Sequence, residues 1–537
     1  MSTREANLTG AAWNEEFDVI VVGFGFAGGA SAISAADAGA RVLLIEKMSR
    51  PGGISICSAG GIRIADDADA AFRYLGQTNA GTAPEKNLRA LADGMTEIEG
   101  FVRKLCEPCD ASLTKVKAPG NYRFDGFETF GFLSVADVPG FEARAVYPHV
   151  RGLRGGARLF NVVQSNVAAR DIEVRLACRA LRLLRDERGA VSGVLVEHAG
   201  RCARLRARGG VILACGGFEA DAEMKRQYWQ EKPVAAAAFP GNTGDGIRMA
   251  QAAGADLWHM WHYHGTYGLR HPDTDSYPYG IRLTRFRDWT PGLLQDDEDV
   301  PAFLLATENA KMPWIVVDQH GRRYMNEYPP YPGDTGHRHM AHFDPVSQSF
   351  PRIPSYLVLD QKGFDRDALG FPTYNDPRMD FAWSGDNRAE LEMGLIRRAD
   401  TLEQLARIVG CAEDEIRETL ARWNGFCGGE QDDPHGRDRQ TSTPIEGPPY
   451  YVAQTWPIVA NTQGGPVHDP DQRILDPFSE PIEGLYAAGE LGSVFGHLYL
   501  SGGNLAECFV GGRIAGRNAA IRAQAAPPAP PPATPLS

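Results

Sequence analysis

Three glycines, Gly23, Gly25 and Gly28, stand in the spacing GxGxxG, and Glu46 follows 23 residues after the first of them. These residue types suit a pyrophosphate and a ribose. Gly23 permits a tight turn, Gly25 lets the backbone approach the phosphates, and Gly28 allows a helix to pack close to a strand. Glu46 offers its carboxylate to ribose hydroxyls. A lone GxGxxG is weak, so the flanking pattern decides its meaning. The segment FDVIVVGFGFAGGASAISAADAGARVLLIEK (17–47) reads as a buried parallel strand, a glycine turn, a helix with small residues on one face, and a second strand ending in the acid. The helix N-terminus adds free N–H groups and positive dipole to the turn. A dinucleotide site is the expectation.

Further pieces of the chain carry similar chemistry. Lys47 sits beside Glu46, and PGGISICSAGG (51–61) supplies Gly53, Ser55, Ser58, Gly60 and Gly61 as donors to a cofactor reaching beyond an adenosine half. GGVILACGGFEAD (209–221) is another buried strand followed by Gly216, and TGDG (243–246) opens a helical stretch with Asp245. GLYAAGE (484–490) ends a strand in Gly489 and Glu490, ahead of SGGNLAECFVGGRIAGRNAA with Gly503, Asn504 and Leu505. Pieces so far apart that return to one ligand imply a discontinuous domain.

The elements that must position these residues need a large body. With 537 residues, at least two domains or one large α/β body with an insertion are expected. Hydrophobic content of 43% with 23% charged residues is that of a folded globular chain. Lys+Arg 55 against Asp+Glu 68 gives −13, which argues against nucleic acid as a partner, since phosphate binding rests on clustered cations. The 9 cysteines follow no disulfide framework, which points to a reducing compartment. Cys106 and Cys109 form a lone CxxC without the further ligands of a zinc site, so no metal is expected. The N-terminus lacks an apolar signal region and no stretch is long and apolar enough to span a bilayer, so the expectation is a cytoplasmic protein without a membrane span. The terminal AQAAPPAPPPATPLS is a Pro/Ala tail with little to bury.

From about residue 17 to 520 the order and content of these motifs resemble flavoproteins of the fumarate reductase and succinate dehydrogenase type, including the 3-ketosteroid dehydrogenases. The resemblance implies FAD held on a discontinuous Rossmann-like α/β domain with an inserted α+β capping domain. The expected division is 15–262 for the first FAD-binding part, 263–445 for the cap, 446–522 for the second FAD-binding part and 523–537 for the tail. Residues 258–290 read as aromatic-rich and irregular, and 399–424 as a pair of amphipathic helices. Several relatives attach FAD covalently through a His after the ribose acid. Residues 50–61 contain none, so noncovalent FAD is expected, and no CxxCH is present to carry a c-type haem.

Fumarate chemistry needs cations on both carboxylates. At the positions where the resemblance implies arginines this chain has Tyr331, four residues after Glu327 of GRRYMNE, and Leu500, two before Gly502. The substrate-binding His position aligns approximately with Phe495, although His497 lies close by. These replacements match the ketosteroid dehydrogenase branch, with Tyr331 after the NE motif and Tyr499 four residues before Gly503. Desaturation beside a ketone requires loss of an α-proton and transfer of a β-hydride to flavin. The resemblance assigns carbonyl polarisation to Tyr499 and the Gly503 N–H, and proton abstraction to Tyr331, roles that a phenol can fill chemically.

Tyr122 is the nearest candidate for a further catalytic tyrosine. Trp258, Trp261, Tyr263 and Tyr267 either wall a flat substrate or pack a core, and His259, His262 and His264 are structural or pocket-lining. The expected enzyme is thus an FAD-dependent dehydrogenase of an apolar cyclic ketone with an unidentified electron acceptor. Its alternatives are an ene reductase of the fumarate or urocanate type and an electron-transfer subunit.

Overall fold

A computed structural model of the chain describes residues 12–152, 154–284 and 312–525. Its first large sheet runs Ile172–Arg175, Val42–Ile45, Glu15–Val22, Arg201–Leu213, Pro481–Ala487 and Arg473–Leu475, with the first five parallel. Val42–Ile45 is buried throughout, as expected of a parallel strand covered on both faces. Register then does the positioning. Val22 pairs with both Ile45 and Leu213, and Leu213 pairs with Ala487. Gly23, Glu46, Ala214 and Ala488 therefore come off one carboxyl edge in a row. The strand order reverses at Glu15–Val22, whose neighbours on its two sides are Val42–Ile45 and Arg201–Leu213, and such a switch opens a ligand crevice.

Two helices close this edge. Phe26–Asp37 crosses Gly503–Ala525 at very short range: a Cβ on Gly516 would stand 2.3 Å from the Ser31 carbonyl oxygen, and one on Gly512 would stand 2.9 Å from Ala27 O. The last helix continues to Ala525, so 523–525 of the expected tail are helical, and the rest of that tail lies outside the described residues.

The second sheet runs Ile315–Val317, Ser355–Asp360, Tyr450–Thr462, Tyr263–Arg270, Gly280–Leu283 and Gly370–Phe371, with Ala235–Ala236 and Ile396–Ala399 also pairing on Tyr450–Thr462. Its central strand thus comes from the segment 446–522, and one short strand from 15–262, so this sheet draws on all three expected segments. Of the segment 258–290, expected to be irregular, Tyr263–Arg270 and Gly280–Leu283 are paired strands, which aromatic and β-branched side chains favour, and 285–290 lie outside the described residues. Helices Leu402–Val409 and Glu413–Gly428 cover one face, where Leu405, Ile416, Leu420 and Trp423 pack on Val358 and Val452. No helix among the described residues is long and apolar enough to cross a membrane. All 9 cysteines are free thiols, Cys106 ending a helix and Cys109 in the turn after it.

Candidate active site

A cavity of about 520 Å³ runs between the carboxyl edge of the first sheet and the second sheet. Gly23, Gly25, Glu46, Lys47, Gly53, Ser55, Ser58, Gly60, Gly61, Gly216, Asp245, Glu490, Asn504 and Leu505 all line it. Three expected residues do not. Gly28 acts through packing, because a Cβ there would stand 1.8 Å from Gly23 O. Gly489 has φ +76°, and a Cβ there would stand 2.7 Å from Ala27 Cβ. Gly503 is the third, and its N–H is not available to a ligand: it donates to Leu500 O at 2.7 Å in the turn that starts the last helix.

At the dinucleotide end the turn after Val22 is held from below. Glu46 accepts the N–H of Phe24 at 3.0 Å and of Met48 at 2.9 Å, and the Ser55 hydroxyl accepts the N–H of Phe26 at 3.2 Å. Burial pushes the Glu46 carboxyl up while those N–H groups pull it down. Lys47 is bound to Asp245 at 2.8 Å and to Thr243 at 2.7 Å, with Arg179 also 3.4 Å from Asp245. Gly25 has φ −98°, where any residue fits, so what a side chain there would take is cavity space. A glycine-walled cradle with a helix N-terminus and a carboxylate at its edge fits the phosphates and ribose of FAD.

The other end is aromatic. Tyr331 and Tyr499, both buried, lie with ring centroids 6.3 Å apart and planes at 25°. Beside both stands His264, whose Nε2 is 3.2 Å from Tyr331 Oη and whose ring centroid is 4.1 Å from that of Tyr499. His264 Nδ1 faces Asn461 Oδ1 at 3.0 Å, and the Asn461 amide nitrogen donates to Asn504 Oδ1. That orientation puts the His264 proton on Nδ1 and leaves Nε2 to accept the Tyr331 hydroxyl. Burial lowers the His264 pKa to about 3, so the ring is neutral. A skip in the strand pairing aims it: His264 pairs with Asn461 but Gly265 pairs with Val459, a bulge that turns the backbone beside the cavity.

Tyr499 has the opposite bias. Burial pushes its phenol well above the ordinary value, so it stays protonated. Its oxygen accepts the N–H of Asn504 at 3.2 Å, which leaves its own proton to donate.

Sequence reasoning missed the residues that hold these phenols. Asp334, fully buried, accepts the Tyr499 N–H at 3.0 Å and the Tyr122 hydroxyl at 2.7 Å, with Arg338 at 3.2 Å. Tyr122 is thereby committed to Asp334 and does not line the cavity. Glu327 of the NE motif is buried between Arg323 at 2.7 Å and Arg437 at 3.0 Å and accepts the Val316 N–H. Burial would raise its carboxyl, but the two guanidinium groups outweigh that and hold it at about 2. Glu327 fixes the loop that delivers Tyr331. Asn326 adds a bond to Gly436 O at 3.0 Å. Acids surrounded by one's own arginines were the available signal, but sequence separation of 110 between Glu327 and Arg437 concealed the pairing.

Of the remaining candidates, Leu500 is buried, and Phe495 packs on the Tyr499 ring at 5.2 Å. Tyr267 donates to Glu327 O inside the second sheet's core, Trp258 stacks on His259, and Trp261 is exposed, so none of that aromatic cluster walls the cavity. Among the three neighbouring histidines His264 alone lines it.

A parallel-sheet dinucleotide cradle facing a second sheet that brings paired phenols defines a two-body flavoprotein oxidoreductase. The chain belongs to the family described as FAD binding domain, whose model matches residues 18–505, and its cofactor is FAD. It is 27% identical to the urocanate reductase of Eggerthella lenta over 95% of this chain and 75% of that protein. It is 29% identical to a 3-oxosteroid 1-dehydrogenase of Mycobacterium tuberculosis over 90% and 94%. In fold it matches a 3-ketosteroid delta1-dehydrogenase from Sterolibacterium denitrificans solved with 1,4-androstadiene-3,17-dione, with a TM-score of 0.75 at 22% identity over 95% of this chain and 100% of that one.

Proposed function

We propose that the protein is a dehydrogenase that introduces a C=C bond next to the carbonyl of a cyclic ketone. The observation that carries this is the pair Tyr331 and Tyr499 on one cavity wall, with rings 6.3 Å apart and different hydrogen-bond states. Tyr499 is a neutral donor whose oxygen is already polarised by the Asn504 N–H, so it suits a carbonyl oxygen that gains negative charge as the α-proton leaves. Asn504 takes the place first expected for Gly503, acting through the phenol. Tyr331 points its proton at His264 Nε2, so its oxygen can take the α-proton as its own proton passes to that nitrogen, with Asn461 behind to orient the imidazole. Asp334 and Glu327 are positioning residues for the two phenols.

FAD, held noncovalently along Gly23, Gly25, Glu46 and Ser55, supplies the acceptor for the β-hydride and its two electrons. Kinship with a urocanate reductase supports the reverse direction, alkene saturation, as the second reading. Anaerobic mixing of the yellow protein with cyclic ketones tests the proposal: bleaching of the flavin by a saturated ketone is the expected result. Bleached enzyme that is reoxidised by enones, with no bleaching by any saturated ketone, selects the reductase.

A further inference from the structure

The charged groups of the cavity wall are nearly all accounted for within the protein. Lys47 and Arg179 are paired with Asp245, Glu46 is held by two N–H groups, and Glu490 accepts the N–H and hydroxyl of Thr462. Arg282 differs: it lines the cavity and has no hydrogen bond or ion pair with any of the described residues. It lies on strand Gly280–Leu283 of the second sheet, where its neighbour Ile281 is fully buried in the core. Alternation along the strand sends Arg282 to the opposite face, toward the cavity.

It belongs to the substrate end. Its charge acts on His264, adding to the burial that keeps that ring neutral, and both residues share the wall with Tyr331. Around it the wall is phenol, neutral imidazole and the hydroxyl of Thr373, with the cavity's acids committed elsewhere. A partly buried guanidinium gains most from a planar anion that takes two of its N–H groups at once. We propose that Arg282 binds a carboxylate carried by the substrate, so that the ketone is an oxo acid whose anionic group lies apart from the reacting carbonyl. This deepens the desaturase reading and rests on it for the identity of the carbonyl compound. A single cation grips one carboxylate, which separates such a substrate from a dicarboxylate clamped at both ends.

The holoenzyme tests this with two probes of one shape, 4-oxocyclohexanecarboxylate and its methyl ester. Binding is read from the perturbation of the oxidised flavin spectrum, and reaction from anaerobic bleaching. The acid is expected to bind about tenfold or more tightly than the ester, as a charge-assisted bidentate pair would give, and the preference shrinks with added salt. Arg282→Gln removes the preference, and Arg282→Lys keeps part of it. Equal affinity for acid and ester in the parent, a preference that survives in Arg282→Gln, or no binding of either probe overturns the proposal. So does an Arg282→Gln protein that loses flavin while retaining discrimination, because the cation then serves the cofactor. Acid that binds through Arg282 without bleaching the flavin leaves the carboxylate site standing and defeats the desaturase reading instead.

Discussion

The two ends of the cavity are built by different means. At the dinucleotide end the ligand-facing groups are consecutive in short motifs, and their placement follows from the register of parallel strands that end together at Val22, Ile45, Leu213 and Ala487. At the substrate end each group arrives from elsewhere: His264 from a bulged strand, Tyr331 from a loop anchored by Glu327, Tyr499 from the turn before the last helix and Arg282 from a further strand. Backbone recognition of phosphates tolerates little change in sequence. Side-chain recognition at the far end is open to replacement one residue at a time, and relatives named for different activities resemble the chain over nine-tenths or more of its length.

The sharpest way to break this contrast is to put a side chain into the cradle. Gly25→Leu adopts its φ without strain, yet its Cβ alone would stand 2.9 Å from Ser55 Oγ, and the remaining atoms take phosphate space. The expected outcome is a folded, colourless protein, measured by the ratio of flavin absorbance to protein absorbance after gel filtration. Wild-type yellow colour would show that the phosphates do not lie over Gly25. In the parent, acid precipitation should leave the colour in the supernatant, as noncovalent FAD requires.

Substitutions at the far end should spare the flavin and remove chemistry. Tyr499→Phe is expected to slow flavin reduction by on the order of 10²-fold or more, the usual cost of losing a donor to a developing oxyanion. Tyr331→Phe should suppress both flavin reduction and exchange of the substrate α-hydrogen with D₂O, since both begin with the same proton loss. Parent rates in both variants would return these tyrosines to pocket packing.

Glu327 sharpens the comparison from the side of stability. Glu327→Gln leaves Arg437 buried with its countercharge gone and should cost about 3–5 kcal/mol in denaturant unfolding. Its depressed folded pKa means that this contribution is present above the unfolded value and is lost as pH falls toward about 2. The stability difference between parent and variant should therefore narrow below the usual glutamate pKa. A difference independent of pH would mean that Glu327 does not act through its charge. The smallest expected effect is no effect: fumarate with a reduced dye should give no turnover above free flavin, because Tyr331 and Leu500 stand where the resemblance implies arginines and Arg282 offers one cation. Robust fumarate reduction would point to Arg338 as a second one.

The cradle was readable because each of its motifs is local. A strand, a glycine turn, a helix and a second strand span about 30 residues, and sterics dictate the glycines at the spots where backbone must approach ligand or neighbour. Tyr331 and Tyr499 were reached differently, through the family resemblance that fixes their spacing from Glu327 and from Gly503, and both line the cavity. Sequence reasoning erred where a group's bonding partner is set by a turn: the Gly503 N–H is spent on Leu500 O, and the Asn504 N–H meets the phenol one residue later. Tyr122 likewise reads as a free phenol until Asp334, 212 positions away, is seen to hold it.

By itself, then, the order of residues determined the dinucleotide cradle and the parallel sheet that carries it, both consequences of spacing and backbone sterics over short range, while Tyr331 and Tyr499 were singled out by resemblance alone. Tertiary structure alone decided that His264 rather than His259 or His262 enters the cavity, that Glu327 and Asp334 are anchors, and that Arg282 faces the substrate end without a partner among the described residues. The reason is physical. Hydrogen-bond and charge pairing depend on distances of a few ångströms between segments separated by tens to hundreds of positions, and those distances exist only once the two sheets have packed.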